Sequence, residues 1–163
     1  MAITPSNNLR LVKKTIGDVV SELVGLEYYT AFNNKIPFPD GDFFVINIIG
    51  QDRQATNIVS YTTESDIFYK HENVIAEIPV QFDFYGKESQ NAAMLLEMLS
   101  RSTEMIERGI TVIYGSQPKQ LPFEDAHKSM IERWNIELQI KFNNTFTNIA
   151  EKAISATIDI NPL

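Results

Sequence analysis

The sequence predicts an α+β fold: a mostly antiparallel or mixed β-sheet packed by two main helices. Three observations carry that expectation. Residues 9–23 and 89–108 repeat apolar side chains at three- and four-residue spacing, the mark of an amphipathic helix. Residues 72–85 and 130–142 alternate with period two, the mark of a strand with two different faces. The helices are segregated along the chain, and the strands are mostly joined by hairpin-like turns.

In the first helix Leu9, Val12, Ile16, Val19, Val20 and Leu23 form the apolar stripe. Ser6, Asn7 or Asn8 is placed to cap it and Gly25 to end it. Gly17 should weaken its interior by about 1 kcal/mol relative to alanine. Arg10, Lys13, Lys14, Asp18 and Glu22 occupy the opposite face, which suits a helix lying on a sheet. Residues 27–32 read as a strand and 33–42 as a loop rich in turn formers. Residues 43–49 are apolar on both faces, as in a strand covered on both sides. A turn at 50–53, a strand at 54–61 and a polar hairpin loop at 62–70 follow. The strand at 72–85 contains Pro79, which cannot donate to a ladder, so it is bent, bulged or partly at an edge.

Ser89 is placed to cap the second helix, which runs to about Arg108 with Ala92, Leu95, Leu96, Leu99, Met105 and Ile106 as its stripe. Gly109 is a natural stop. A short strand at 110–114 leads into a long loop, 115–129, with two prolines. Along 130–142, Trp134, Ile136, Leu138, Ile140 and Phe142 face the core, and the intervening residues face outward. Asn143-Asn144 reads as a turn, 146–154 is ambiguous, and 154–160 alternates as a last strand.

The chain has 163 residues, enough for one domain burying about 69% of its unfolded surface. Fourteen basic residues against twenty-one acidic ones leave a net charge of −7, which gives no counterion-release drive toward nucleic acid. The absence of cysteine excludes disulfides, thiolate metal sites and thiol nucleophiles. The longest apolar run, Phe43 to Ile49, is far short of the roughly 20 residues a spanning helix needs, so no membrane role is expected. The N-terminus lacks the basic-then-apolar pattern of a secretory signal, so the protein is expected to work where it is made.

No phosphate-binding glycine motif, paired-histidine metal motif or nucleophile elbow occurs. His71 and His127 read as ordinary loop histidines rather than ligands. Asp83 and Glu137 lie on the polar sides of two strands, where a solvated or interface role outweighs acid–base work. Asn143-Asn144-Thr145 matches a glycosylation sequon that has little meaning without a signal. The aromatics around 28–44 are not interleaved with basic residues, so core or subunit contact is preferred over base stacking.

Three stretches together carry a resemblance: PVQFDFYG at Pro79 to Gly86, with Asn91-Ala92 opening a helix soon after; YGSQPKQLPFEDAHKSMIERW from Tyr114 to Trp134; and FFVINIIG followed by QATNIVSY, ending at Tyr61. In this order and at this length the chain resembles the phage neck terminator family, head-to-tail joining proteins related to tail terminators. The resemblance implies one tail-terminator-like domain over residues 1–163. It implies a homo-oligomeric, sixfold ring that caps the tail tube and meets a head-side connector or neck protein, with the tail sheath a further candidate partner. It also implies a virion protein of the head–tail junction, made in the host bacterial cytoplasm, with no catalytic residues, cofactors or metal, and DNA only passing through the lumen. The alternatives are another neck, baseplate or tube-associated binding module of the same fold or, last, an unrecognised enzyme.

Given such a ring, Phe38, Leu121, Pro122 and Phe123 are the candidate subunit contacts, with the alternative that Phe38 and Phe123 fold over their own core. Glu64 and Asp66, or Glu124 and Asp125, are the candidate lumen acids, since a negative lumen does not grip DNA. Residues 62–71 form a candidate protruding hairpin, the alternative being a plain loop tip.

Overall fold

The computed structural model describes residues 9–31, 39–65, 67–124 and 130–150. Its elements, in chain order, are α1 (Leu9–Val24), β1 (Glu27–Thr30), β2 (Phe43–Ile48), β3 (Asp52–Arg53), β4 (Ile58–Glu64), β5 (Ile67–Tyr85), α2 (Ser89–Ser100), α3 (Thr103–Glu107), β6 (Val112–Gly115), β7 (Lys119–Gln120), β8 (Phe123–Glu124), β9 (Met130–Ile131) and β10 (Arg133–Ile149). The main sheet has the order β1-β2-β5-β10-β6, with β3 and β4 added to β5 and β7 to β10. Only the β1–β2 pair is parallel, and β8 and β9 make a separate small ribbon. The architecture is the expected α+β one.

The axis of the molecule is the β5–β10 pair, in register from Arg133↔Tyr85 to Ile149↔Tyr69. Period-two alternation puts Ala76, Ile78, Val80, Phe82 and Phe84 on one face with Ile136, Leu138, Ile140 and Phe142. Phe44 and Ile46 of β2 extend that face, and Ile16 and Val20 of α1 with Ala92, Ala93, Leu96 and Met105 of α2 and α3 close over it. The helices therefore cover one face of the sheet, and most of each predicted stripe faces it; Leu9, Leu95 and Ile106, expected in the stripes, are exposed instead, because they lie at the margin of the face the sheet covers.

Gly17 has a reason that helix propensity does not show. The Tyr28 ring crosses α1 there, and a Cβ on residue 17 would lie 2.4 Å from that ring. The Tyr28 hydroxyl donates to Asp18 Oδ1 at 2.7 Å, tying β1 to the helix. At Pro79 the strand is central, yet the missing N–H goes unused. Its carbonyl accepts from Ile49 just where β2 ends, so the proline sits where β5 changes partner from β2 to β3.

The local expectations differ from the structure in several places. The polar stretch 62–70 is strand up to Glu64 and again from Ile67, so the hairpin turns within two residues. Thr62, Thr63, Phe68 and Tyr69 have the β-branched and aromatic character that favours a strand whether or not it is buried. Strand β4 begins only at Ile58, and Asp52–Arg53, expected as a turn, pairs with β5. Asn143-Asn144 is not a turn, because pairing with Ile75 and Val74 carries β10 straight through. The second helix breaks at Arg101–Ser102. The Ser100 and Ser102 hydroxyls donate to the carbonyls of Glu97 and Leu99, and Ser102 then caps α3 by accepting from the Glu104 N–H. Ser89 is not the cap but the first helical residue, fully buried; Asp42 instead accepts from the Glu88 N–H at 3.1 Å. The proposed caps at 6–8, most of the 33–42 loop and the strand at 154–160 lie outside the described residues.

Candidate functional site

Two regions of the sheet stand apart from the helix-packed core. The first is an arm. Beyond Val74 the β5–β10 pair continues with no helix of the described residues over it, and β4 joins it as a third strand. Every residue of β4 is exposed, Ile58, Val59 and Tyr61 among them. Cross-strand contacts hold the arm. On one face His71 hydrogen-bonds through Nε2 to Thr62 Oγ1 (2.7 Å) and through Nδ1 to Thr147 Oγ1 (3.0 Å), linking all three strands. Thr145 donates to Asn73 on the same face. On the other face Tyr61 stacks on Phe68 at 5.4 Å, and Lys70 pairs with Glu72 at 2.6 Å. That pair holds the Lys70 ammonium above its usual pKa and, with Asn57, the Glu72 carboxyl below its own.

The second region lies at the opposite end, on the sheet face away from the helices. Tyr29, Phe43, Tyr85 and Phe123 form a row of ring contacts 5.0–5.6 Å apart. Burial raises the Tyr85 phenol pKa, with Asp83 adding and Arg133 opposing. Asp83, itself buried, accepts from Arg133 Nε (3.1 Å) and Nη2 (2.8 Å), Asn135 (2.9 Å) and Gln81 (2.9 Å). Glu137 has its own donor in Gln139 at 3.0 Å. The two acids thus share a sheet face but serve as anchors, each held by different groups.

The long loop after β6 is pinned rather than loose. Ser116 exchanges backbone and side-chain hydrogen bonds with Glu137, β7 pairs with Trp134 and Asn135, and the Leu121 N–H donates to the Arg133 carbonyl. Leu121 and Pro122 remain exposed beside Met130 and Ile131, around a groove of about 250 Å³. Phe123 turns inward and meets the Tyr85 ring edge-on at 5.5 Å. Glu124 is exposed on β8, and Glu64 is exposed at the arm tip. Glu64 pairs with Ile67, whereas Phe123 contacts Tyr85, so the two acids stand at opposite ends of β5, about 60 Å apart along the strand. Phe38, Asp66 and Asp125 lie outside the described residues.

Two more grooves flank the sheet. One, of about 360 Å³, runs between the α2–α3 corner and β6, bordered by Arg101, Ile106, Ile113 and Tyr114. Gly115 makes it narrow: a Cβ there would lie 3.0 Å from Ser100 Oγ, so α2 sits close on the sheet margin. The other, of about 330 Å³, lies between α1 and the β6–β10 margin. The groups whose acidities shift line none of these three grooves. Among the described residues no group of three or more histidines, aspartates or glutamates is placed to hold a metal, and no helix is long and apolar enough to cross a membrane. Sequence reading missed Met130, Ile106, Ile113 and Tyr114 as surface apolar residues, because their spacing fits a buried stripe equally well. For β4, the run Ile58, Val59, Tyr61 without a basic residue was the available signal.

No curated protein matches the chain. A family model described as phage neck terminator protein matches residues 11–162, nearly its whole length. The chain therefore belongs to the phage neck terminator family, and is a structural protein of the phage neck, a virion component that works against other neck and tail proteins.

Proposed function

We propose that the chain acts as one tail-terminator-like domain over residues 1–163, closing with further copies into a sixfold ring. The ring caps the tail tube at the head–tail junction and offers its other side to the head-side connector. The observation that carries this is the presence of unlike surfaces on one chain: an arm whose edge strand exposes Ile58, Val59 and Tyr61, and a groove of mixed polarity beside a different sheet margin. Rings need such head-to-tail contacts, whereas a two-fold dimer reuses one patch. Leu121 and Pro122, exposed on a pinned loop beside Met130, suit contact with another subunit or with the tube. Phe123 and Phe38 are the aromatic members of the same proposed contact. Glu124 and Asp125 are the lumen acids of this reading; Glu64 stands too far away to share that girdle, and Asp66 follows it closely in sequence.

The test is native mass spectrometry over a concentration series, with negative-stain imaging of the same sample. A sixfold species with ring-shaped particles is expected, in solution or on added purified tail tubes with capped ends. A stable dimer or tetramer, or a monomer that leaves tube ends bare, would overturn the reading.

A further inference from the structure

We infer that the edge of β4 pairs with the edge of β6 in a second copy of the chain, and that the neighbour's α2–α3 corner receives the arm. The inference rests on the ring reading above and specifies its contact. Natural edge strands are normally blunted by lysine, proline, a bulge or an inward charge. Strand β4, Ile-Val-Ser-Tyr-Thr-Thr-Glu, has no such device until Glu64 at its end. Its seven residues are all exposed, Tyr61 at 55%, and it pairs only with β5 among the described residues. Strand β6, Val-Ile-Tyr-Gly, is short and bulges at Ile113, but it carries no charge and pairs only with β10 among the described residues. Its Tyr114 is 63% exposed, and Ile106 across the groove 61%. Strand β4 is thus an edge that nothing among the described residues covers, an aggregation hazard unless assembly covers it, and β6 offers it a short, bulged but uncharged edge.

The two edges complement each other. Strand β4 runs antiparallel to β5, and β6 runs antiparallel to β10 and hence with β5. Copies in the same orientation therefore bring β4 to β6 as an antiparallel pair, in the manner of strand addition. The charges match: Glu64 is the single charged residue of β4, and Arg101, which pairs with Glu97 of its own helix at 2.7 Å but stays largely exposed, is the charged residue among the described ones bordering the groove. The edges are staggered by about nine residues, or ~30 Å, along the strand, which tilting each sheet against the ring axis takes up. Because β4 and β6 are different surfaces, each copy gives one and receives one, and the contact propagates until it closes.

The chain has no cysteine, so introduced thiols react alone. Thr63→Cys and Ile113→Cys, combined in one chain and treated with a short bis-maleimide, should give a ladder up to the closed ring, while either single variant stays monomeric on denaturing gels. Rings without cross-links would overturn this contact and leave the ring standing. Dimers from Thr63→Cys alone would mean two-fold edge pairing and overturn it too. Absence of any ring, on tubes or off, overturns both readings. As a second arm, Arg101→Glu should raise the concentration needed for ring formation about tenfold, and adding Glu64→Arg should restore it; no rescue would count against the pairing.

Discussion

The two halves of the β5–β10 pair are built from the same continuous ladder and have opposite fates. In the body half, Phe82, Phe84, Ile136 and Leu138 are fully buried under α1 and α2. In the arm half the same ladder runs on through Lys70, His71, Thr147 and Asn148, with no helix among the described residues over it. The difference teaches where stability is stored. The body gains from apolar area removed from water, at roughly 25 cal/mol per Å². Among the described residues the arm is held by cross-strand pairs, each contributing roughly 0.2–1 kcal/mol. A segment held this lightly is suited to being completed by a partner.

The largest effect should come from breaking the body. Phe84→Ala, at a fully buried ring that contacts Phe44 at 5.2 Å, is expected to destabilise by about 3–5 kcal/mol in urea unfolding. Tyr61→Ala, at a stacked but exposed ring of the arm, should cost under about 1 kcal/mol. Equal losses at the two sites would show that the arm folds as part of the core, and the contrast drawn here would fail.

A middle-sized effect tests how the body admits its first strand. Helix propensity alone says that Gly17→Ala should stabilise α1 by about 1 kcal/mol. The Tyr28 ring fills that space, so the net expectation is a loss of about 1–2 kcal/mol from overpacking. Pairing the change with Tyr28→Ala should return the gain that propensity predicts. A Gly17→Ala protein more stable than the parent would show that the ring moves aside freely.

Position 17 also illustrates what was legible in the sequence. Periodicity fixes which residues of one element share a face, so the stripes of α1 and β10 and the α+β class could be read directly. Long-range pairing is not periodic. The continuation of β10 through Asn143-Asn144 depends on β5 being long enough to pair with it, which overrides the turn preference of two asparagines. The break at Arg101–Ser102 depends on serine hydroxyls choosing nearby carbonyls, a local competition with the same composition as an unbroken helix. The candidate site divides in the same way. Exposed Leu121 and Pro122 were legible as loop residues, while the groove bordered by Ile106 and Tyr114 arises only when α3 and β6 are folded side by side. The family resemblance, by contrast, was legible because whole stretches in order carry it.

The smallest effect concerns pH and sharpens how the body holds its first strand. Tyr28 stacks on Phe44 at 5.6 Å and donates to Asp18, so burial first, then that hydrogen bond and the Asp18 charge, push its phenol from 10.0 up to about 12. The same contact, after the stronger one to Lys14, holds the Asp18 carboxyl below its usual range. A raised folded-state pKa means that the native protein holds this proton more tightly than the unfolded chain does. Its contribution is whole below pH 10 and is lost as pH rises from 10 to about 12, where a phenolate would face a carboxylate. Urea midpoints across that window should fall more steeply for the parent than for Tyr28→Phe, which has no proton to lose. Superposed curves for the parent and Tyr28→Phe would remove the Asp18 contact from the forces that dock β1 on α1, and leave the ring filling the space over Gly17 as the whole of that junction.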